Sequence, residues 1–428
     1  MTHRMHSLQT QIPALPRPLV LISAVVACSL LGDQMLYAVL PVVHEAAGVP
    51  VTAIGLLLSA NRLVRLVTNG VAGCVVERFG RRWPFILSLL VGGSTTIAYG
   101  VMHGVWAFLV ARLLWGTSWS FIRIEGLSTA LDIATDATRG RYMGLFQAIS
   151  RLGSAVAMLV GGILTDVIGF RRTFFLFGIV TCLAALLASI EMRSRGISDK
   201  ARLSRSEPAP APATVDVPRK SPVASLAPNR DTLWRTMVVC TGTLSTLLVI
   251  GGLVSAKLGY MLRVRFGNTP TMGTLTIGVA SLTGILLSSR GFLELGCAPI
   301  IGYFADRWGR HRIIFAAMPI GGLLVASLSL QPSLPLVTVV TVLIFLVGIA
   351  LNVAFNAVAG DIAPPARRSM FLSLFVTFQD LGAAVGPLFG YWIAPHLGLV
   401  WLYVSGASIL LLTALLYAGT FMRWQRAM

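Results

Sequence analysis

Eleven charged side chains fall within long apolar stretches of this sequence, where each needs either a partner or contact with water. A charged group at the centre of a bilayer costs about 2.5–3.5 kcal/mol on insertion scales, and such groups mark ion, proton and substrate pathways. The bases are Arg62, Arg65, Arg112, Arg123, Arg151, Lys257 and Arg290, and the acids are Asp33, Glu125, Glu294 and Asp380. The chemistry open to them is proton transfer, ion pairing or the binding of a charged solute.

Spacing places several of these side chains on common helix faces. Tyr37 follows Asp33 by four residues, so both lie on one face of a helix. Arg62, Arg65 and Asn69 form a polar stripe with i, i+3 and i+7 spacing. We therefore expect two helices that each present a line of polar groups to the protein interior.

The remaining buried charges separate into central and peripheral groups. Arg290 and Glu294 are four residues apart and could pair on one helix. Lys257, Arg123 and Glu125 lie near the ends of their apolar stretches, and we expect their charged ends to reach the membrane interface. The central set then holds five arginines against three acids. That balance favours an anionic substrate, such as a carboxylate or a phosphate ester.

The composition shows what must position these residues. Of the 428 residues, 55% are hydrophobic and only 12% are charged, against about 25% charged in soluble proteins. Apolar runs near the ~20 residues needed to span a bilayer recur about twelve times. The eighth is predicted at residues 273–304, and the last two at 369–394 and 397–420. The sequence predicts an all-α, polytopic membrane protein. The first run begins at Leu19 and is not followed by a small-residue cleavage site, so we expect no cleavable signal peptide.

The formal net charge of +18 has a simple cause in a membrane protein, because cytoplasmic loops collect Lys and Arg. Their distribution predicts that both termini are cytoplasmic, and nucleic acid is not needed to explain the charge. The five cysteines and six histidines show no ligand spacing. We expect no metal and no cofactor. P-loop, nucleophile-elbow and metalloprotease motifs are absent from the sequence, so we expect no enzyme.

One arginine-rich segment occurs twice, 229 residues apart, as GCVVERFGRR and GYFADRWGRHR. A fixed period indicates a duplicated unit. It predicts a six-helix half at residues 1–192, a linker rich in Pro and Ala at 193–233, and a second half at 234–428. The matching positions are Gly73, Glu77, Arg78, Gly80 and Arg81 in the first copy and Gly302, Asp306, Arg307, Gly309 and Arg310 in the second.

These segments resemble the loop between helices two and three of the major facilitator superfamily, with Glu77 at the position of the family's Asp. Arg112 and Gly116 resemble its helix-four pattern. The helix-five antiporter pattern is similar too, except that Ala157-Met158 stands where the family has Gly-Pro. The glycines and proline that match in helices five and eleven are Gly144, Gly153, Gly161, Gly162, Gly382, Gly386 and Pro387.

The resemblance implies twelve helices in two pseudo-symmetric halves, with the doubled loops latching the cytoplasmic side. In that fold helix two lies against helix eleven and helix five against helix eight, which predicts the inter-half ion pairs Arg65–Asp380 and Arg151–Glu294. Helices one and four line the cavity there, so Asp33 would face Arg112. The residues predicted to act in transport and proton coupling are Asp33, Tyr37, Arg62, Arg112 and Arg290.

Together these features predict a monomeric, proton-coupled secondary transporter in the lipid bilayer of the inner membrane. It would move a small organic solute, anionic or amphiphilic, by alternating access, with export as the preferred direction. Two alternatives stay open. One is a metal or metal-chelate permease, including a magnetosome-type carrier of the superfamily. The other is a membrane sensor or scaffold that transports nothing.

Overall fold

The computed structural model describes residues 16–135, 138–194, 230–272, 275–330, 333–363 and 368–427. Eleven helices among these residues are long and apolar enough to cross a membrane. The predicted linker falls almost entirely on residues 195–229, which lie outside the described part of the chain. The helices of the first half are α1 Arg17–Val43, α2 Val51–Phe79, α3 Arg82–Val101, α4 Val105–Ile133, α5 Arg139–Ile168 and α6 Phe170–Ser194.

The second half repeats this order with two irregularities. Helix α7 consists of Arg230–Thr246, a π-helical segment Leu247–Val254, and Ser255–Phe266; α8 is Val279–Trp308, α9 is Arg310–Ser327 with a 3-10 turn Leu328–Leu330, and α10 is Leu334–Ile362. A short antiparallel pair, β1 Thr271–Met272 and β2 Leu275–Thr276, lies between α7 and α8. The sequence had suggested that the eighth span begins at residue 273. That boundary is wrong, because Leu275–Thr276 form strand β2 and the helix starts at Val279.

The last helical stretch, Arg368–Ala427, contains two membrane helices. Its apolar part of 51 residues would form a continuous helix about 77 Å long, more than twice the ~30 Å hydrocarbon core of a bilayer. Gly398 interrupts it with φ 87° and ψ 168°, a conformation that glycine adopts without steric cost. We call residues 368–397 α11 and residues 399–427 α12. Counted this way, the helices agree with the predicted twelve spans.

The two halves share one packing scheme. In the first half α1 packs on α5, α3 on α6, and α2 on α4. In the second half α7 packs on α11, α9 on α12, and α8 on α10. Each pairing in the second half is the first-half pairing moved along the chain by six helices. The folded chain is therefore a parallel repeat, as the 229-residue period predicts.

Contacts between the halves are concentrated toward one end of the bundle. We call the end that carries residues 79–82 and 308–310 the basic face, and the other end the opposite face. Near the opposite face, the Cα atoms of Gly162 and Gly284 are packed so closely that a Cβ on Gly162 would lie 3.1 Å from the Cα of Gly284. A Cβ on Gly55 would lie 2.6 Å from the carbonyl oxygen of Pro387. The halves are thus closed together at the opposite face.

Toward the basic face the same helices lose these contacts. Added Cβ atoms at Gly70 and Gly73 of α2, Gly144 of α5, and Gly296 and Gly302 of α8 would meet nothing within 4 Å. These glycines lie on α2, α5 and α8, which carry inter-half contacts further along. The structure is therefore a conformation that opens toward the basic face, the side on which the sequence places the cytoplasm.

Candidate functional site

Two adjoining cavities lie at the centre of the bundle, between the halves. One has a volume of about 260 Å³ and is lined mainly by α1, α2, α4 and α5, with Asp380 from α11. The other, of about 400 Å³, is lined by residues of both halves. The residues common to both are Gln34, Tyr37, Arg62, Arg151 and Ser154. We treat the two as one central cavity.

A buried ion pair joins a cavity-lining residue, Asp33, to Arg112 behind the cavity wall. Asp33 on α1 and Arg112 on α4 are 2% and 0% exposed, and Arg112 Nη1 donates to Asp33 Oδ1. The same carboxylate accepts a hydrogen bond of 2.7 Å from Asn61 Nδ2 on α2, and one of 2.7 Å from Gln34 Nε2. Three helices of the first half therefore meet at one carboxylate.

Arg112 is held from its other side by the backbone of α2. Its Nε donates to the carbonyl of Leu57 at 2.9 Å and its Nη2 to the carbonyl of Leu58 at 3.4 Å. Nη2 also donates to the Tyr37 hydroxyl at 3.3 Å, and that hydroxyl donates to Leu58 at 3.0 Å. If Asp33 took up a proton, Arg112 would keep these partners while the ionic link to α1 was lost. The arrangement can thus convert protonation into a change in helix contact.

Arg62, Arg65 and Asp380 all line the cavity, but the predicted Arg65–Asp380 pair is not formed within the described residues. Asp380 attracts both arginines without lying at ion-pair distance from either. Arg65 Nε has no hydrogen-bond partner in the described part of the protein. The physical reason is the opening of the halves: α2 and α11 touch closer to the opposite face, where Ser59 Oγ donates to the carbonyl of Ala384 at 2.5 Å. The pair stays a prediction for another conformation.

The second predicted inter-half pair is present. Arg151 on α5 donates through Nη1 to Glu294 Oε1 on α8, with side-chain exposures of 46% and 18%. Arg290 lies one turn before Glu294 and is attracted to it, while Arg62 and Arg151 repel Arg290. Because Glu294 bonds Arg151, the alternative pairing of Arg290 and Glu294 on their own helix is not formed at ion-pair distance in the described structure.

The doubled loops are built alike. Arg81 Nη1 contacts Asp132 Oδ2 at 2.6 Å, and Arg310 contacts Asp361 through the equivalent atoms. Both acids lie 51 residues beyond their arginines. Each loop therefore ties the α2–α3 or α8–α9 turn to the end of the fourth helix of its half.

The loop glycines differ in their roles. Gly80 and Gly309 have φ of 77° and 96°, which non-glycine residues rarely adopt. An added Cβ at Gly73 or Gly302 would meet nothing within 4 Å, so neither glycine is in a close helix contact in this conformation. Among the other loop residues, Asp306 accepts from Arg310, Arg307 donates to Tyr303, Arg78 lies beside Phe79, and Glu77 is exposed.

The predicted packing glycines separate by environment. A Cβ on Gly153 would lie 2.6 Å from the Cβ of Ala27, and one on Gly161 would lie 2.5 Å from Met35 Cγ. Gly162 makes the inter-half contact with α8, while Gly144 faces open space. In α11, Gly382 packs against the backbone of Leu244, and Gly386 and Pro387 pack against Gly252. The glycines therefore serve helix contact within and between halves.

Two contacts at the opposite face were not anticipated from the sequence. Asp166 Oδ2 on α5 accepts hydrogen bonds of 2.6 Å from both the backbone N and the Oγ of Ser281, at the start of α8. Asp166 follows Gly162 by four residues, so the spacing places both on the same face of α5, the face that meets the other half. Glu45 pairs with Arg263 at 2.7 Å, and Arg263 also donates to the carbonyl of Val42 at 2.7 Å. Both contacts join one half to the other.

The Glu45–Arg263 contact predicts a pH effect. The hydrogen bond and the charge of Arg263 lower the pKa of the Glu45 carboxyl below its ordinary value. The contact therefore stabilises the closed opposite face at pH above the ordinary carboxyl range, and this is lost as pH falls through the lowered pKa. We expect this contact to add a small opening of the face on acidification, so the acid response should be smaller in Glu45→Gln than in the wild type. Spin-label distances across the face would test this; an equal acid response in the variant would contradict it.

Lys257 does not reach the interface as the sequence suggested. Its side chain is 0% exposed, and Nζ lies 3.6 Å from the ring centroid of Tyr391 and 4.1 Å from that of Tyr260. No hydrogen-bond partner of Nζ is present in the described part of the chain. Its neighbours are the aromatic rings of α7 and α11, which close around it. Arg123, by contrast, is exposed, and Glu125 is buried and accepts from Thr129.

The burial of Lys257 predicts the effect of neutralising it. An ammonium without a counter-ion is costly to bury, and cation–π contacts stabilise it by only about 2 kcal/mol. Lys257→Met should therefore favour the conformation closed at the opposite face and raise the unfolding temperature. Lys257→Arg, which keeps the charge in a larger group, should not. Thermal unfolding and spin-label distances provide the measurements, and opening of the opposite face in Lys257→Met would contradict the interpretation.

The described residues include no group of three or more His, Cys, Asp or Glu side chains placed to hold a metal ion. The polar groups that line the two cavities are guanidinium, carboxylate, phenol, hydroxyl and amide groups. Groups of these types can exchange protons and form hydrogen bonds with charged solutes.

Comparison with known proteins gives one consistent result. The family model of the Major Facilitator Superfamily matches residues 22–291 and 266–426. The chain is 26% identical over 375 residues to the multidrug resistance protein MdtG of Enterobacter lignolyticus, covering 86% of this chain and 82% of that protein. It is 25% identical over 378 residues to MdtG of Escherichia coli, covering 87% and 85%.

Solved structures match in fold. A bacterial homolog of the human lysosomal transporter Spinster, in an inward-facing and occupied conformation, aligns with a TM-score of 0.70 at 14% identity, covering 94% of this chain and 96% of that one. A POT family transporter in complex with 5-aminolevulinic acid aligns with a TM-score of 0.73 at 13% identity, covering 95% and 96%. At such low identity these matches concern the arrangement of helices alone.

Proposed function

The chain belongs to the Major Facilitator Superfamily, and on that premise we propose that this membrane transporter is proton-coupled and exports a small organic solute, anionic or amphiphilic. The observation that carries the proposal is the buried Asp33–Arg112 pair in the wall of the central cavity. Asp33 is a carboxylate that the cavity can reach, and its protonation would change the contacts among α1, α2 and α4.

The coupling proposal follows from what Asp33 holds together. While it is ionised, it binds Arg112, Asn61 and Gln34. A proton on Asp33 removes the negative charge that Arg112 and Asn61 stabilise, and so weakens the contacts of α1 with α2 and α4. If these contacts differ between the two conformations of the transporter, protonation shifts the populations of those conformations. Proton uptake on one side and release on the other would then drive transport of the solute.

The inter-half contacts supply the two conformations. In the state described here the halves are closed by Gly162, Asp166 and Glu45 near the opposite face, and Arg151–Glu294 joins them beside the cavity. We propose that the reverse state closes the basic face, with Arg65 reaching Asp380. The doubled loops around Arg81 and Arg310 would close that face. Closing one end and opening the other is the alternating access of this class of transporter.

The direction and localisation rest on two further observations. The excess of Lys and Arg on the basic face supports a cytoplasmic location for that face and for both termini. The relatives named above are multidrug resistance proteins, which supports export from the cytoplasm. The protein would act as a monomer in the inner membrane.

Transport assays in proteoliposomes test the proposal. A panel of organic anions and amphiphiles is added with and without an imposed pH gradient, and internal pH is followed with a fluorescent dye. Wild-type protein should show solute-dependent proton movement, and Asp33→Asn should not. Glu125→Gln is the matched control, because Glu125 is another buried carboxylate of the first half and lines neither of the two cavities. Equal proton movement in wild type and Asp33→Asn would overturn the proposal.

A further inference from the structure

We propose that the transported solute carries two negative charges and binds between Arg62 of the first half and Arg290 of the second. This inference rests on the proposed transport through the central cavity and adds the chemical class of the solute. A solute bound this way would join the two halves beside Glu294, the carboxylate of that cavity, which is already paired with Arg151.

Two of the three acids that line the cavity already form ion pairs. Asp33 binds Arg112, and Glu294 binds Arg151. Among the described residues, Arg62, Arg65 and Arg290 make no ion pair, and Asp380 is the cavity carboxylate left to balance them. After each formed pair is set aside, the cavity keeps a positive excess. An excess of buried cations favours binding of an anion.

Arg62 and Arg290 are placed to share one ligand. They come from α2 and α8, line the same cavity of about 400 Å³, and repel one another. Gly251, in the π-helical segment of α7, faces the Arg290 guanidinium without a side chain of its own: an added Cβ would lie 3.7 Å from Nη1 and 3.8 Å from Nη2. Ser154 and Asn352 add neutral polar groups to the same wall. The cavity therefore offers two fork-shaped donors with room between them.

The repulsion between Arg62 and Arg290 favours a solute with two negative charges over a solute with one. A single negative charge placed between two guanidiniums leaves one positive charge uncompensated in a partly buried site, which is costly. A dianion neutralises both, and guanidinium groups bind carboxylate and phosphate oxygens with two parallel hydrogen bonds. Because the arginines belong to different halves, rocking changes their separation. A bridging dianion would then favour the conformation that brings them closest.

Binding to the purified full-length protein tests this inference by isothermal titration. The probes are dicarboxylates from malonate to adipate, each compared with its monoamide, which has one charge and nearly the same shape. Glycerol 3-phosphate is included as a further probe, to show whether the site prefers a phosphate ester or a dicarboxylate. One charge-assisted hydrogen-bonded contact should give a roughly ten- to hundredfold preference for at least one dianion over its singly charged analogue.

The arginine variants locate the effect. Arg62→Gln and Arg290→Gln should each lose the preference for two charges, while Arg62→Lys and Arg290→Lys should retain part of it. Arg172→Gln is the matched control, because Arg172 is an exposed arginine at the start of α6 and lines neither cavity. If no dianion is preferred tenfold, or if the Gln variants keep the preference, the inference is wrong. Solute-dependent proton movement that survives such a result would leave the proposed function standing.

Discussion

Arg112→Met should destabilise the protein by about 3–5 kcal/mol, the cost of breaking a buried ion pair by removing one partner. Arg112 is 0% exposed and bonds Asp33, while its other donors reach the carbonyls of Leu57 and Leu58. Methionine fills a similar volume but leaves the Asp33 carboxylate without its counter-charge. The unfolding temperature of the purified protein should fall well below that of the wild type.

The double variant separates charge from packing. Asp33→Asn combined with Arg112→Met removes both charges, so it should recover much of the stability lost in Arg112→Met. Transport coupling should stay lost, because no protonatable group is left at that position. Arg123→Met serves as the control, since Arg123 is exposed and makes no such pair. A single variant as stable as the wild type, or a double variant no better than the single one, would contradict a buried ion pair.

Gly162→Leu should abolish the conformation closed at the opposite face. A Cβ on Gly162 would overlap the backbone of Ala280 and come within 3.1 Å of the Cα of Gly284. Backbone atoms of two packed helices cannot yield as a flexible side chain does, so the halves must separate there. We expect transport to fall to background and the opposite face to stay open.

The matched control lies on the same helix. Gly144→Leu adds the same side chain where nothing lies within 4 Å, so it should leave the opposite face closed. Distances between spin labels at positions 167 and 264 measure that face directly. If Gly162→Leu gave the wild-type distance distribution, the close contact between α5 and α8 would not control closure.

The helical architecture follows largely from features that act locally. Apolar length marks the spans, and the 229-residue period predicts that Arg81 and Arg310 occupy equivalent places. The structure extends this to their partners Asp132 and Asp361, which are related by the same period. Gly398 divides the last helical stretch near the position expected from sequence. These features depend on neighbours in the chain or on symmetry, so the sequence carries them.

The remaining features depend on distant residues or on conformation. The burial of Lys257 depends on Tyr391, which is 134 residues away and packs from another helix. Spacing could place both residues on helices but not bring their side chains together. Arg65 and Asp380 share a cavity, yet their separation depends on how far the halves have rocked. The start of α8 was misplaced because a two-residue β pair leaves little pattern in an apolar stretch.

The central claim, proton-controlled rocking of the halves, is tested most directly by two distances measured on one protein. Spin labels replace Phe79 and Trp308 at the basic face in one sample, and Val167 and Val264 at the opposite face in another, each in a cysteine-free background. All four residues are exposed.

The wild type should show two populations, one with a long basic-face distance and a short opposite-face distance, and the other with the reverse. The ratio of these populations should differ between neutral and acidic pH. Asp33→Asn should abolish the opposed changes at the two faces, leaving only the small acid-induced opening of the opposite face that depends on Glu45. A single population at both faces, unaffected by pH and identical in Asp33→Asn, would contradict the account.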